Sequence, residues 1–251
     1  MNDKFSRLNN KNTNEEKVLK EILNNFHKRP IPDRELMENL FMYLQKKDLS
    51  HLLFISEVYQ KIINIHGNIF EFGTRWGRNV SLLSTLRGLF EPYNHTRKVV
   101  AFDTFSGFPN ISSKDGKHKS VKKGSYKVSK NYKEYLNQLL TIKESELPIN
   151  HIKKFDIVKG DVSQTSKKYF RENPESLVAL AIFDLDLFEP TKNALKVILP
   201  RMSKGSIIVF DELNHAAYPG ETLAYLEAFK SHKYRLFRSP ISASKSYIII
   251  E

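Results

Sequence analysis

The sequence predicts an α/β protein: a doubly wound, mostly parallel sheet with an antiparallel hairpin at its C-terminal edge and a helical cap in front of it. Three observations predict this. From Asn68 onward, short apolar runs alternate with stretches of helical period. The runs are apolar throughout, as in LVALAIF at Leu177–Phe183 and SIIVF at Ser206–Phe210, which suits strands buried on both faces. The last two runs, Tyr234–Phe237 and Ser246–Ile250, follow one another without a helix, and such neighbours pair antiparallel.

The elements follow in order. Residues 1–14 are polar, rich in Asn and Lys, and read as disordered. Val18, Leu19, Ile22, Leu23 and Phe26 form a helical stripe in Glu15–His27, which Pro30 and Pro32 end. Asp33 can cap a second helix running to Lys47, with Leu36, Leu40, Phe41 and Leu44 on one face. A third helix, Leu49–Ile65, stops before Gly67. These make a cap, residues 15–66, on one domain, residues 67–251. Its strands are Asn68–Phe72, Lys98–Phe102, Phe155–Lys159, Leu177–Phe183 and the run after Gly205. Helices fall at Asn79–Phe90, after Ser129, at Gln164–Glu172, at Pro190–Leu199 with Pro190 in the first turn, and at Glu221–Ser231.

Composition narrows the function. Cysteine is absent, so no disulfide supports the fold. No apolar run approaches the roughly 18 residues a membrane span needs, and Met1–Asn14 has no apolar core of a secretory signal. A cytoplasmic protein with no membrane partner is the expectation. The net charge of +12 suits nucleic acid, an anionic surface or a phosphorylated substrate, or follows from a general bias toward Lys, Asn and Ile. Between Lys114 and Lys133, lysines 114, 117, 119, 122, 123, 127, 130 and 133 stand against a single acid, Asp115. With Gly116 and Gly124, residues 110–133 read as a mobile basic lid loop.

Glu71-Phe-Gly-Thr-Arg-Trp-Gly77 joins the first strand to a helix. Glycines at 73 and 77 let backbone approach a ligand at a helix N-terminus. A nicotinamide dinucleotide usually wants G-x-G-x-x-G, and position 75 is Arg. Asp103 ends the second strand, where ribose hydroxyls are held in doubly wound folds, and Asp161 follows the third, near the base of a nucleoside. Glu71, Asp103 and Asp161 together suit a cationic nucleoside such as S-adenosylmethionine. Trp76 either stacks on that ligand or packs.

Asp184-Leu-Asp186 and Asp211-Glu212 end the two most apolar strands. Unpaired buried carboxylates are costly, so a cation is expected among them. If the strand persists, Asp184 and Asp186 share a face. All-oxygen donors favour Mg²⁺, Mn²⁺ or Ca²⁺. The alternative is acids that cap helices or pair with Lys or Arg. His215, just beyond, is either a base or substrate ligand, or a loop residue. His27, His51, His66 and His151 read as structural.

Four phrases carry a family resemblance: Glu71-Phe-Gly-Thr74, Ala101-Phe-Asp-Thr-Phe-Ser-Gly-Phe-Pro109, Phe183-Asp-Leu-Asp-Leu-Phe-Glu-Pro-Thr191 and Val209-Phe-Asp-Glu-Leu213. Over residues 67–215 the chain resembles the macrocin-type (TylF-like) O-methyltransferases. That resemblance implies a Rossmann-like class I methyltransferase sheet, S-adenosylmethionine held by Glu71, Gly73, Thr74, Trp76, Gly77, Asp103, Thr104, Asp161 and Asp184, and Mg²⁺ on Asp184, Asp211 and Glu212. It makes Asp186 the general base; His215, from its place in the loop, is a second catalytic candidate. It implies a small-molecule acceptor, an anionic nucleotide-linked 6-deoxyhexose or related glycoside methylated at a sugar hydroxyl; a homo-oligomer is compatible with it. Leu185 stands where the family commonly has Gly, and Glu212 where it often has Asp. A catechol-type methyltransferase is the main alternative. A nicotinamide oxidoreductase or an RNA-binding methyltransferase fits less well: no base-flipping motif and no stacking-aromatic strand motif is present.

Overall fold

The computed structural model describes residues 13–251. Most of the segment expected to be disordered lies outside these residues; Thr13 and Asn14 already belong to a helix. Seven strands form one sheet: β1 Asn68–Phe72, β2 Val99–Asp103, β3 Phe155–Lys159, β4 Val178–Phe183, β5 Met202–Phe210, β6 Phe237–Arg238 and β7 Ser246–Ile249. Their order is β3-β2-β1-β4-β5-β7-β6. The first five are parallel, and β7 runs antiparallel between β5 and β6. This is the expected doubly wound sheet with its antiparallel edge.

Helices α1 Thr13–His27, α2 Asp33–Leu36 and α3 Lys46–Lys61 precede the sheet. Helices α4 Arg78–Phe90, α5 Tyr132–Ser145, α6 Val162–Glu172, α7 Phe188–Ile198 and α8 Pro219–Ala228 alternate with its strands. The expected helix from Asp33 to Lys47 is not one helix. It breaks into the single turn α2 and a 3₁₀ turn at Leu40–Tyr43, neither of which buries a residue. Short helices are marginal without an apolar face packed on something, and Phe41 and Met42 stay exposed. Asp33 does not cap; it pairs with Arg29.

Two cores flank the sheet. On one face, α3, α4 and α5 bring Phe54, Val58, Leu83 and Leu136 onto Ile69, Val99 and Ile182. On the other, α6 and α7 bring Phe170, Ala194 and Ile198 onto a row of phenylalanines. That row runs across the sheet just under its C-terminal edge: Phe102, Phe72, Phe183 and Phe210 stack at 5.1, 5.0 and 5.5 Å between successive centroids. Phe72 pairs with Phe102 and Phe183, and Phe183 with Phe210, so the row lies in register across four strands. The residues that follow this row, Gly73, Asp103, Asp184 and Asp211, lie at or just beyond that edge.

Candidate active site

Above that edge lies a cleft of about 340 Å³, within the range of small-molecule sites. Glu71, Gly73, Thr74, Trp76, Asp103, Thr104, Asp161, Asp184, Asp186 and Asp211 of the expected site line it; Gly77, Glu212 and His215 do not. The ladder extends one residue past the strands: Gly73 N–H donates to Phe102 O, Asp184 N–H to Phe72 O and Asp211 N–H to Phe183 O, at 2.9, 2.9 and 3.0 Å. Backbone bonds thus fix where these residues leave the sheet.

On the β1–β3 side the acids are clasped by their own backbone. Gly73 has φ +97°, and a Cβ there would collide with the Asp184 carbonyl, so the turn crosses β4 only as glycine. Glu71 is buried, and its carboxylate accepts from Thr74 Oγ1 at 3.0 Å and from Val80 N–H at 3.1 Å. Burial pushes its carboxyl up to about 8, against the pull of side-chain hydrogen bonds from Thr74 and Asn79. Asp103 accepts from the N–H groups of Arg75 and Phe105 at 2.8 and 2.6 Å. Burial raises its carboxyl too, and these two bonds oppose the rise. Asp161 caps α6 through Ser163 N–H at 2.8 Å while lining the cleft. Gly77, left-handed at φ +78°, is the N-cap of α4 behind this wall. Trp76 is one-third exposed and stands edge-on to Tyr132 at 4.8 Å.

The β4–β5 side is built differently. The strand does not persist through Asp184-Leu-Asp186. It ends at Phe183, and Asp186 takes a left-handed φ of +60°. Both acids face the cleft because the chain turns, not because the pleat alternates. Glu212 leaves the cleft; its N–H donates to Glu221 at 2.9 Å. Glu221 is wholly buried, and burial holds its carboxyl well above the usual range, helped by Asp186, Asp184 and Glu212. His215 lies on the same loop with its ring against Tyr218 at 5.4 Å.

Among the described residues, no three His, Asp or Glu side chains stand close enough to share one ion. Glu212 departs, and the carboxylate of Asp211 is engaged by the ammonium of Lys245. The chemistry of the donors nevertheless suits a hard cation. They are all carboxylates, Glu221 Oε1 is enclosed with no hydrogen-bond partner, and Asp211 already holds a positive charge.

Residues 110–131 reach the cleft at Tyr126 and are clasped at several points. Asp115, the acid among the lysines, is buried. It accepts from Ser112 N–H and from Phe188 N–H, the first residue of α7, each at 2.6 Å. Tyr126 lines the cleft, carries the Arg75 guanidinium 5.3 Å above its ring, and bonds Tyr218 hydroxyl to hydroxyl at 2.6 Å. Tyr218 also bonds Ser120. Lys117, Lys119, Lys122, Lys123, Lys127 and Lys130 point outward.

Sequence reasoning missed His51, Glu221, Tyr126 and Lys245. His51 reaches the cleft from α3, where its Nε2 bonds Asn79 Oδ1 at 2.6 Å. Burial, then Lys245 and Arg78, pushes the imidazole down to about 3, so it is neutral at physiological pH. Its helical context concealed this. The motif containing Glu221 was in view, and an acid in the first turn after Pro219 was its only signal.

The Macrocin-O-methyltransferase (TylF) family profile matches residues 42–236. The chain is 35% identical to the calicheamicin methyltransferase CalS11, with a TM-score of 0.93 over 96% of this chain and 94% of that one. An apo structure of CalS11, described as a TDP-rhamnose 3'-O-methyltransferase, aligns at 33% identity and TM-score 0.85 over 96% of each chain. The O-methyltransferase NovP shares the fold at 20% identity and TM-score 0.61, over 80% of this chain and 79% of that one. No curated protein matches the chain. The strand order, the cleft and these likenesses agree: the chain belongs to the macrocin O-methyltransferase (TylF) family and is an S-adenosylmethionine-dependent O-methyltransferase.

Proposed function

We propose that the enzyme methylates a hydroxyl of a nucleotide-linked 6-deoxyhexose, the 3-hydroxyl in particular. The observation that carries this reading is the shared cleft: the acids suited to the donor and the acids suited to a polyhydroxylated acceptor face one another across it. The likeness to an enzyme described as acting on TDP-rhamnose supports the acceptor class. The lysines on the outer face of residues 110–131 supply positive charge for a diphosphate.

Asp103 accepts the ribose hydroxyls, Asp161 stands toward the base, and Glu71 faces the cationic methionine end of the donor. Asp186 takes the proton of the acceptor hydroxyl. The oxygen forms its bond to the methyl carbon as the carbon–sulfur bond breaks, and S-adenosylhomocysteine leaves with the electron pair on sulfur. The protein's part is to hold the three partners in line and to receive one proton. A hard divalent cation held by Asp184 and Asp211, the acids of the expected set that line the cleft, would lower the pKa of the acceptor hydroxyl. The donor and a nucleotide-sugar are both cytoplasmic metabolites, and we place the reaction there. No described helix is long and apolar enough to cross a membrane.

Incubation with labelled S-adenosylmethionine and a panel of nucleotide-sugars, free sugars and catechols tests the proposal. Label is expected in a nucleotide-linked deoxyhexose. Label in a catechol alone would overturn the acceptor class, and label in a free glycoside alone would remove the nucleotide.

A further inference from the structure

We infer that Lys245 is a tethered counter-ion for Asp211, which a divalent cation must displace to bind there. The inference rests on the proposed role of Asp211 as a cation ligand.

The pairing is built into the sheet. In the β5–β7 ladder, Phe210 stands opposite Ser246. The strands are antiparallel, so Asp211, just past the end of β5, faces Lys245, just before the start of β7. Directly opposed residues in an antiparallel pair have side chains within reach of each other. The backbone of Lys245 is pinned from its far side as well: its carbonyl accepts from the N–H of buried Ser239 at 2.9 Å, and Ser246 pairs with Arg238 of β6. Lys245 is 8% exposed and Asp211 5%, and both line the cleft. Little water competes for either charge.

The surroundings favour a cation at this point. Asp184 and Asp186 share the cleft, and Glu221 lies buried behind them. A row of carboxylates with nothing positive among them would repel itself. Lys245 supplies one positive charge without any ion from solution. A divalent cation bonded to Asp211 would sit beside that ammonium, and two positive charges a few ångströms apart repel strongly where water is scarce. One of them must move. The lysine stem has four carbons and can swing, whereas Asp211 is fixed by its own N–H bond to Phe183. Two consequences follow. The acidic half of the cleft stays assembled when no ion is bound, and the ion that does bind is held weakly and exchanges.

Paramagnetic titration with Mn²⁺ of the full chain tests this. Lys245→Met removes the charge and keeps the stem. It should bind Mn²⁺ about tenfold more tightly than wild type, the size expected for losing one partly screened like charge. Lys245→Arg should bind no more tightly than wild type, and Asp211→Asn combined with Lys245→Met should lose the gain. Melting without added metal gives a second readout: Lys245→Met should melt below wild type and recover on adding Mn²⁺, whereas wild type should respond little. Equal or weaker Mn²⁺ binding by Lys245→Met overturns the inference, as does a gain that survives Asp211→Asn. If Lys245→Met does not fold, Lys245→Gln replaces it under the same criteria. An enzyme that gains Mn²⁺ affinity as expected but methylates no nucleotide-sugar sinks only the acceptor reading. Methylation of a nucleotide-sugar with unchanged Mn²⁺ affinity sinks only the role of Lys245.

Discussion

The two halves of the cleft hold their acids by opposite means. On the β1–β3 side, Glu71, Asp103 and Asp161 each accept at least one backbone N–H from the turn or the helix start that follows their own strand. On the β4–β5 side, Asp211 leans on a lysine from the segment that leads into β7, and Glu221 is buried among like charges. The first half is complete as local structure, and the second is complete only through distant partners. A site shaped by its own turns is ready before its ligand arrives. A site whose charges balance only through a swinging lysine can change its occupant. That division suits the proposed placement of the donor on one side and of the acceptor and its proton on the other.

Four experiments break or sharpen this contrast. The largest effect is expected from Asp186→Asn. It should lower kcat by about 10³-fold, within the range for a general base, and leave S-adenosylhomocysteine affinity within about twofold, since Asp186 belongs to the other half. Turnover within tenfold of wild type would remove Asp186 from the chemistry.

Asp103→Ala should do the reverse. Loss of charge-assisted bonds to the ribose, and of the clasp on Arg75 and Phe105 N–H, is expected to weaken donor binding by roughly 10- to 100-fold. Calorimetry with S-adenosylhomocysteine measures it. An unchanged Kd would show that the donor side is not built around this acid.

Glu71 tests the cost of that readiness. Its folded carboxyl titrates at about 8 against an ordinary 4.5. The folded state therefore binds the proton more tightly than the unfolded chain does. The stability this brings is complete below the ordinary value and is lost as pH rises through about 8. Between about pH 6 and about pH 9 the ligand-free enzyme should lose roughly 1–3 kcal/mol, and Glu71→Gln should lose much less. Parallel pH profiles for the two proteins would place the burden elsewhere.

The smallest effect per residue is expected at the outer lysines. Replacing Lys117, Lys119, Lys122 and Lys123 by Ser should raise KM for a nucleotide-sugar by at most about 1 kcal/mol per contact, with a shallower salt dependence and little change at the donor. An unchanged KM would return these lysines to compositional bias.

The same contrast explains how much the sequence reveals. Strand ends were legible because each apolar run stops at an acid or a glycine, and those residues occupy the cleft wherever the backbone alone carries them: Gly73, Asp103, Asp161, Asp184 and Asp211. What depends on tertiary pairing was hidden. Lys245 reaches Asp211 only because β7 inserts beside β5, and nothing near residue 245 announces it. His51 comes from a cap helix whose stripe reads as packing. Asp115 looked like a lone acid in a basic loop, yet it is the buried peg that holds residues 110–131 on α7. Glu212 was expected beside Asp211, but the turn after β5 directs only one of the two into the cleft. The helix expected from Asp33 failed for a related reason: its apolar stripe exists, but no surface receives it.

Trp76 is the one tryptophan of the chain, and it stands in the wall of the donor side. Light absorbed selectively by indole is therefore absorbed in that wall and nowhere else. A sulfonium arriving next to it, or water leaving it, should shift or quench the whole of the indole emission rather than a fraction. On the proposed placement of the donor, indole emission of the wild-type enzyme should report donor occupancy, needing neither label nor turnover.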